Sequence, residues 1–139
     1  MIPLNQISIG DWYRYRYTTC DTHREIVRTF RVTAIERMTG DYYVWGVDQN
    51  GKSLGRICYP EQLEGIEITK EILEKNGFKR FDAGFFLDDD YFDITICEWS
   101  DSIWVYRYEG TAFEQVTIGY VHELQHALNA CAVELKIEL

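Results

Sequence analysis

The sequence predicts an α+β protein. A small, bent antiparallel β-barrel of SH3-like kind leads into a helix, a three- to four-stranded antiparallel meander, and a C-terminal helix that covers the meander. Three observations carry this prediction. Short runs of alternating apolar and polar residues, broken by turn chemistry, fill residues 12–68. A second set of alternating runs fills residues 83–118. Beyond Gly119 the spacing switches to the helical period. The two lobes are expected at residues 1–68 and 69–139, packed together as one unit.

Each element has its own local reason. Trp12 to Tyr17 alternates strictly, with Tyr13, Tyr15 and Tyr17 on one face of a strand and Trp12, Arg14 and Arg16 on the other. Thr18 to Arg24 is a polar loop, after which Ile26, Phe30, Val32 and Ala34 keep even parity in a strand reaching about Glu36. Thr39-Gly40-Asp41 turns the chain into an aromatic strand from Tyr42 to Val47. Asp48-Gln49-Asn50-Gly51 supplies hairpin chemistry, with Asn50-Gly51 suited to a type I′ turn. Strands at Leu54–Cys58 and Ile66–Ile68 complete the five of the predicted barrel.

The hydroxyl of Thr69 is placed to cap a short helix, and Asn76-Gly77-Phe78 to end it in a Schellman-type stop. The meander strands are read at Ala83–Leu87, Tyr91–Glu98, Ile103–Tyr108 and Phe113–Ile118. Asp88-Asp89-Asp90 and Ser100-Asp101-Ser102 are taken as turns. Val121, Leu124, Leu128, Cys131 and Ala132 form the buried stripe of a last helix from Gly119 to Ala132, and Glu134–Leu139 alternates as a final strand or extended tail.

Composition narrows the class. Hydrophobic residues make up 46% of the 139, enough for an ordinary core. No apolar run approaches the length that spans a bilayer, and Met1-Ile2-Pro3-Leu4-Asn5 has no basic or apolar leader, so the expected compartment is the cytoplasm, away from membranes. Cys20, Cys58, Cys97 and Cys131 are scattered and read as buried, reduced thiols. The net charge of −9 sits mainly in the second half, where residues 81–139 hold 2 Lys+Arg against 12 Asp+Glu. Such a surface repels phosphate backbones and argues against general nucleic-acid binding.

His122-Glu123-Leu124-Gln125-His126 is the one stretch that names a chemistry. On a helix, His122 and His126 lie a turn apart and could ligate zinc while Glu123 serves as general base on a metal-bound water. That zinc-dependent hydrolase needs a third protein ligand. The metzincin extension would place Gly at 129 and His at 132, where the chain has Asn129 and Ala132. A downstream glutamate helix has no room, since 13 residues follow His126. Upstream donors are His23, Cys20 or a carboxylate. A polar helix face is therefore the preferred reading, with no cofactor expected and zinc as the alternative. Nucleotide-binding glycine loops and a serine-nucleophile elbow are absent from the sequence.

Six arginines between Arg14 and Arg37 make the first lobe different. Trp12, Arg14, Arg16 and Tyr43 could offer charge and stacking to a single strand of nucleic acid. The competing reading is arginine stems lying over packed aromatics.

Three pieces recur together: Ile9-Gly10-Asp11-Trp12-Tyr13, the segment from Gly65 to Phe78, and Val121-His122-Glu123-Leu124-Gln125. In this order the chain resembles a group of small proteins, with no activity attached, encoded by gut Bacteroidetes and their phages or mobile elements. It departs from that group in lacking prolines before Thr69. The group often carries Gln and Asn where this chain has Glu123 and His126, which implies a shared role independent of zinc. The resemblance and the composition together point to a non-enzymatic binding or accessory module whose partner is another protein.

Overall fold

The computed structural model describes residues 2, 4–57, 62–89, 92–109 and 113–139. Of the described residues, strands account for 52% and helical turns for 16%, in two antiparallel sheets that are not closed into a barrel. The protein is thus mostly β, which corrects the α+β class and the SH3-like barrel expected from the sequence. A count of strands and turns reports hairpins, whereas closure depends on whether the two outermost strands meet. In the first sheet the strands lie in the order Ser53–Ile57, Asp41–Val47, Glu25–Met38, Trp12–Thr18 and Leu63–Gly65, leaving Ser53–Ile57 and Leu63–Gly65 as the outer strands. The chain divides into two compact units, Met1–Ile66 and Glu67–Leu139. No helix among the described residues is long and apolar enough to cross a membrane.

In the first unit a short 3-10 turn at Leu4–Gln6 precedes β1 (Trp12–Thr18), β2 (Glu25–Met38), β3 (Asp41–Val47), β4 (Ser53–Ile57) and β5 (Leu63–Gly65). The first four form successive hairpins, and β5 returns to pair with β1. Register decides the faces. Tyr13 lies opposite Phe30, Val32 opposite Gly46, and Val44 opposite Ile57. Cross-strand partners share a face, so these residues and Leu63 gather with Ile2 and Ile7 in one buried cluster. Gly46 makes that packing possible, because a Cβ there would lie 2.3 Å from the Phe30 ring and 2.9 Å from the Arg31 carbonyl. β2 bends at a bulge between Val32 and Ala34.

The turns are partly as the sequence suggests. Thr39 (φ 48°) and Gly40 (φ 97°) both take positive φ, the type I′ geometry of a two-residue hairpin. At Asn50-Gly51, only Gly51 has positive φ, 79°. Asp48 organises that loop instead, its Oδ1 accepting the N–H groups of Asn50 (2.8 Å) and Lys52 (2.9 Å). The final strand of the unit is Leu63–Gly65 and not Ile66–Ile68. The expected end of β4 at Cys58 lies outside the described residues.

The second unit opens with α1 (Lys70–Lys75). Thr69 Oγ1 accepts the Ile72 N–H at 3.3 Å. At the other end Gly77 turns with φ 86°, and the N–H of buried Phe78 reaches the Leu73 carbonyl at 3.0 Å. Strands β6 (Lys79–Phe81), β7 (Gly84–Asp89), β8 (Phe92–Ser100), β9 (Ile103–Glu109) and β10 (Phe113–Ile118) form a meander in sequential order. The meander has five strands where three or four were expected. Lys79-Arg80-Phe81 is exposed throughout and shows no alternation to betray it. Asp88 and Asp89 belong to β7 and not to a turn, while Asp90 and Tyr91 lie outside the described residues.

Phe85, Ile94, Ile96, Trp104 and Tyr106 are buried in this unit, as are Val121, Leu124 and Leu128 of α2 (Val121–Ala130). The helix is shorter than the expected 119–132: Cys131 is its C-cap, and Ala132 takes a positive φ of 57°. Residues 133–139 belong to neither a helix nor a strand, and the Leu135 N–H bonds the Val133 carbonyl at 3.0 Å. Val133 and Ile137 are buried there. Asn76 holds this segment through Nδ2 to the Glu138 carbonyl and Oδ1 from the Glu138 N–H, both 2.7 Å.

Candidate functional site

The His-Glu-x-x-His segment does lie on a helix, the opening turns of α2. Its N-cap, Tyr120, makes no side-chain cap. Two N–H groups just ahead of the helix are instead bonded from within the motif. Glu123 Oε2 accepts the N–H of Gly119 at 2.7 Å and of Tyr120 at 3.1 Å. This is the carboxylate half of a capping box, and a negative charge suits a helix N-terminus. One oxygen of the carboxylate that the hydrolase reading would use as a base is therefore bonded to the backbone.

The histidines differ from each other. His122 is buried, with 2% of its surface exposed, and its ring stacks on Tyr120 at 5.7 Å and 11°. His126 is half-buried and meets His122 edge-on at 6.0 Å and 78°. This corrects the expected polar face. From Leu124 through Leu128 and Val121 to His122 the buried arc is about 160° wide at about 100° per residue. His122 packs, though its type suggested solvent.

Among the described residues no group of three or more His, Cys, Asp or Glu is placed to hold a metal ion. Cys20 and His23 sit on the exposed loop between β1 and β2 in the other unit. Cys20 is exposed, and Cys97 and Cys131 are half-buried; all three are free thiols but none is deeply buried as expected. Cys58 lies outside the described residues.

The residues proposed for nucleic acid are dispersed over one face of the first sheet and are engaged there. Trp12 is buried, with the Arg31 guanidinium 5.8 Å from its ring centre. Arg16 pairs with Glu25 at 2.8 Å and, through two nitrogens, with Glu64 at 2.8 and 3.3 Å. The hydrogen bond from Arg16 is the main cause holding the Glu64 carboxyl below its ordinary range, and the two carboxylates push the Arg16 pKa up. Tyr43 lies under the Arg56 guanidinium at 4.5 Å. Arg14 is exposed on the same strand face as Arg16. Aromatics covered by arginines, and an arginine held by two acids, match the packing reading better than an open stacking platform.

Two features escaped the sequence reading. Asp11 is buried and accepts the Ser8 N–H at 2.8 Å, with the Tyr13 hydroxyl 3.1 Å away. Trp99 sits at a bulge where Glu98 faces Trp104 and Ser100 faces Ile103, so it has no cross-strand partner and is 78% exposed. The sequence reading ended this strand at Glu98, whereas β8 runs on to Ser100 with Trp99 on the face opposite buried Ile94 and Ile96. No family model matches the chain, and no curated protein or solved structure is detectably similar to it.

Proposed function

We propose that the protein is a non-enzymatic module that binds another protein, an accessory factor of phage or mobile-element type acting in the cytoplasm. The observation that carries this reading is Trp99, a large aromatic presented to solvent on a hairpin whose backbone is otherwise paired. Burying an exposed indole is among the largest single gains available to a protein interface, and tryptophan is enriched among energetic hot spots. The surrounding unit suggests the partner's character. Residues 67–139 hold 6 Lys+Arg against 15 Asp+Glu, so a basic surface is complementary. Glu123, the residue that a hydrolase would use as base, has its Oε2 bonded to the backbone at the start of the helix, which favours a structural role for it.

A photoreactive phenylalanine analogue at position 99, with a second at exposed Val116 as control, tests the reading in host cells. One discrete adduct at 99, absent at 116 and reduced by salt, is expected. The same diffuse products from both positions would refute it. Separately, stoichiometric zinc in protein purified without added metal, lost in His126→Ala, would overturn the non-enzymatic assignment.

A further inference from the structure

The first sheet has a second face, opposite the one that carries Trp12, Arg14, Arg16 and Tyr43. Tyr13, Tyr15 and Tyr17 form a row along it. Tyr13 is wholly buried in the core, while Tyr15 and Tyr17 are half-buried and stack on each other at 5.3 Å and 26°. Opposite them on β2 the same face carries Ile26, Arg28, Phe30 and Val32, with Arg28 directly across from Tyr15. The row therefore runs out of the core and ends beside an arginine.

A cavity of about 400 Å³ lies at this end, lined by Tyr15, Tyr17, Arg28, Lys52, Leu54 and Arg56 among others. That volume falls within the range of about 300–1,000 Å³ typical of small-ligand sites. Among the described residues that line it there is no acid. Leu54 and Tyr15 pack against the core cluster and supply an apolar floor. Arg28 and Lys52 are exposed, and among the described residues neither has an acidic partner within ion-pair distance. The Arg56 guanidinium is already over Tyr43, so the available charge is that of Arg28 and Lys52. In a unit that holds 8 Lys+Arg against 8 Asp+Glu, a cavity with two cations and, among the described residues, no acid is a local concentration of positive charge.

We propose that this cavity binds a nucleotide, the base stacking on the Tyr15–Tyr17 pair and the phosphate held between Arg28 and Lys52. A phosphate monoester carries about −1.5 to −2 charge at neutral pH and suits two converging cations. A tyrosine face accepts any base, so the site selects for the class and not for one nucleobase. The nucleotide could come free or as one unit of a single strand. The site is independent of Trp99 and of the proposed protein partner.

Calorimetric titration at low salt with AMP, adenosine, inorganic phosphate and a ten-residue oligodeoxyadenylate tests the proposal. Saturable binding of AMP or of the oligomer is expected, at least tenfold tighter than adenosine or phosphate. The doubly substituted Arg28→Gln, Lys52→Gln protein should lose at least tenfold in affinity. The Arg24→Gln, Arg37→Gln protein, with the same loss of charge outside the cavity, should bind as the parent does. Tighter binding of the oligomer than of AMP assigns the site to single strands, and equal binding assigns it to the free nucleotide. No binding of either probe, or equal weakening in both double variants, would overturn the proposal. Far-UV circular dichroism of the substituted proteins confirms that the exposed replacements leave the sheet intact.

Discussion

Asp11 and Tyr13 show how a single pair of polar groups is accommodated in the core of the first unit. Tyr13 OH is 3.0 Å from the Gln6 carbonyl and 3.1 Å from Asp11 Oδ2, and Ser8 N–H reaches the same carboxylate oxygen at 2.8 Å. Gly10, with φ 98°, turns the chain so that its N–H bonds the Val32 carbonyl while the Asp11 carbonyl accepts from Val32. The Ile9-Gly10-Asp11 piece thus acts as a structural clasp. Burial, and then the charge of Asp11, push the Tyr13 hydroxyl well above its ordinary pKa. Because the folded value is raised, the contribution is complete below the ordinary value of about 10 and is lost as pH climbs above it. Tyr13→Phe is expected to cost about 1–3 kcal/mol at neutral pH, since it leaves the buried carboxylate short of a donor. It should also flatten the fall of stability above about pH 10. Urea denaturation across pH checks both; an unchanged midpoint would show that the hydroxyl contributes nothing.

At the scale of elements, what was legible in the sequence was what is locally determined. Thr69, Gly77 and Phe78 mark the ends of α1 because capping and the Schellman turn involve residues three to five apart. Thr39-Gly40 is legible for the same reason. The other features depend on distant chain. The width of the buried face of α2 depends on what packs against it, so a wheel centred on Leu124 and Leu128 left His122 outside. β6 exists because β7 pairs with it, although its own residues are exposed. Asn76 looked like a helix stop, and its side chain in fact ties α1 to Glu138. Replacing Asn76 by Ala removes those bonds and one to the Ile72 carbonyl, at an expected cost of about 1–3 kcal/mol. Hydrogen exchange should quicken at the Glu138 amide while the Leu124 amide stays slow; equal exchange in both proteins would contradict the tie.

Across the whole molecule the charge division is sharper than the residue count suggests. Residues 1–66 hold 8 Lys+Arg and 8 Asp+Glu, so the entire −9 belongs to the second unit. That excess adds a repulsive contribution between copies at neutral pH. Solubility should pass through a minimum near the sequence isoelectric point of about 4.7, measurable as turbidity against pH. The same division separates the two proposals, with a cationic cavity in the neutral unit and an exposed indole on the acidic one. Class and closure were not legible, because alternation reports that a strand has two faces and says nothing of where the sheet's margins end. Trp99 has one more consequence. Of the four tryptophans, Trp12 and Trp104 are buried and Trp45 is half-buried. A collisional quencher such as acrylamide therefore meets chiefly one fluorophore, and the emission of Trp99 can serve as a built-in, label-free optical signal for whatever comes to rest on it.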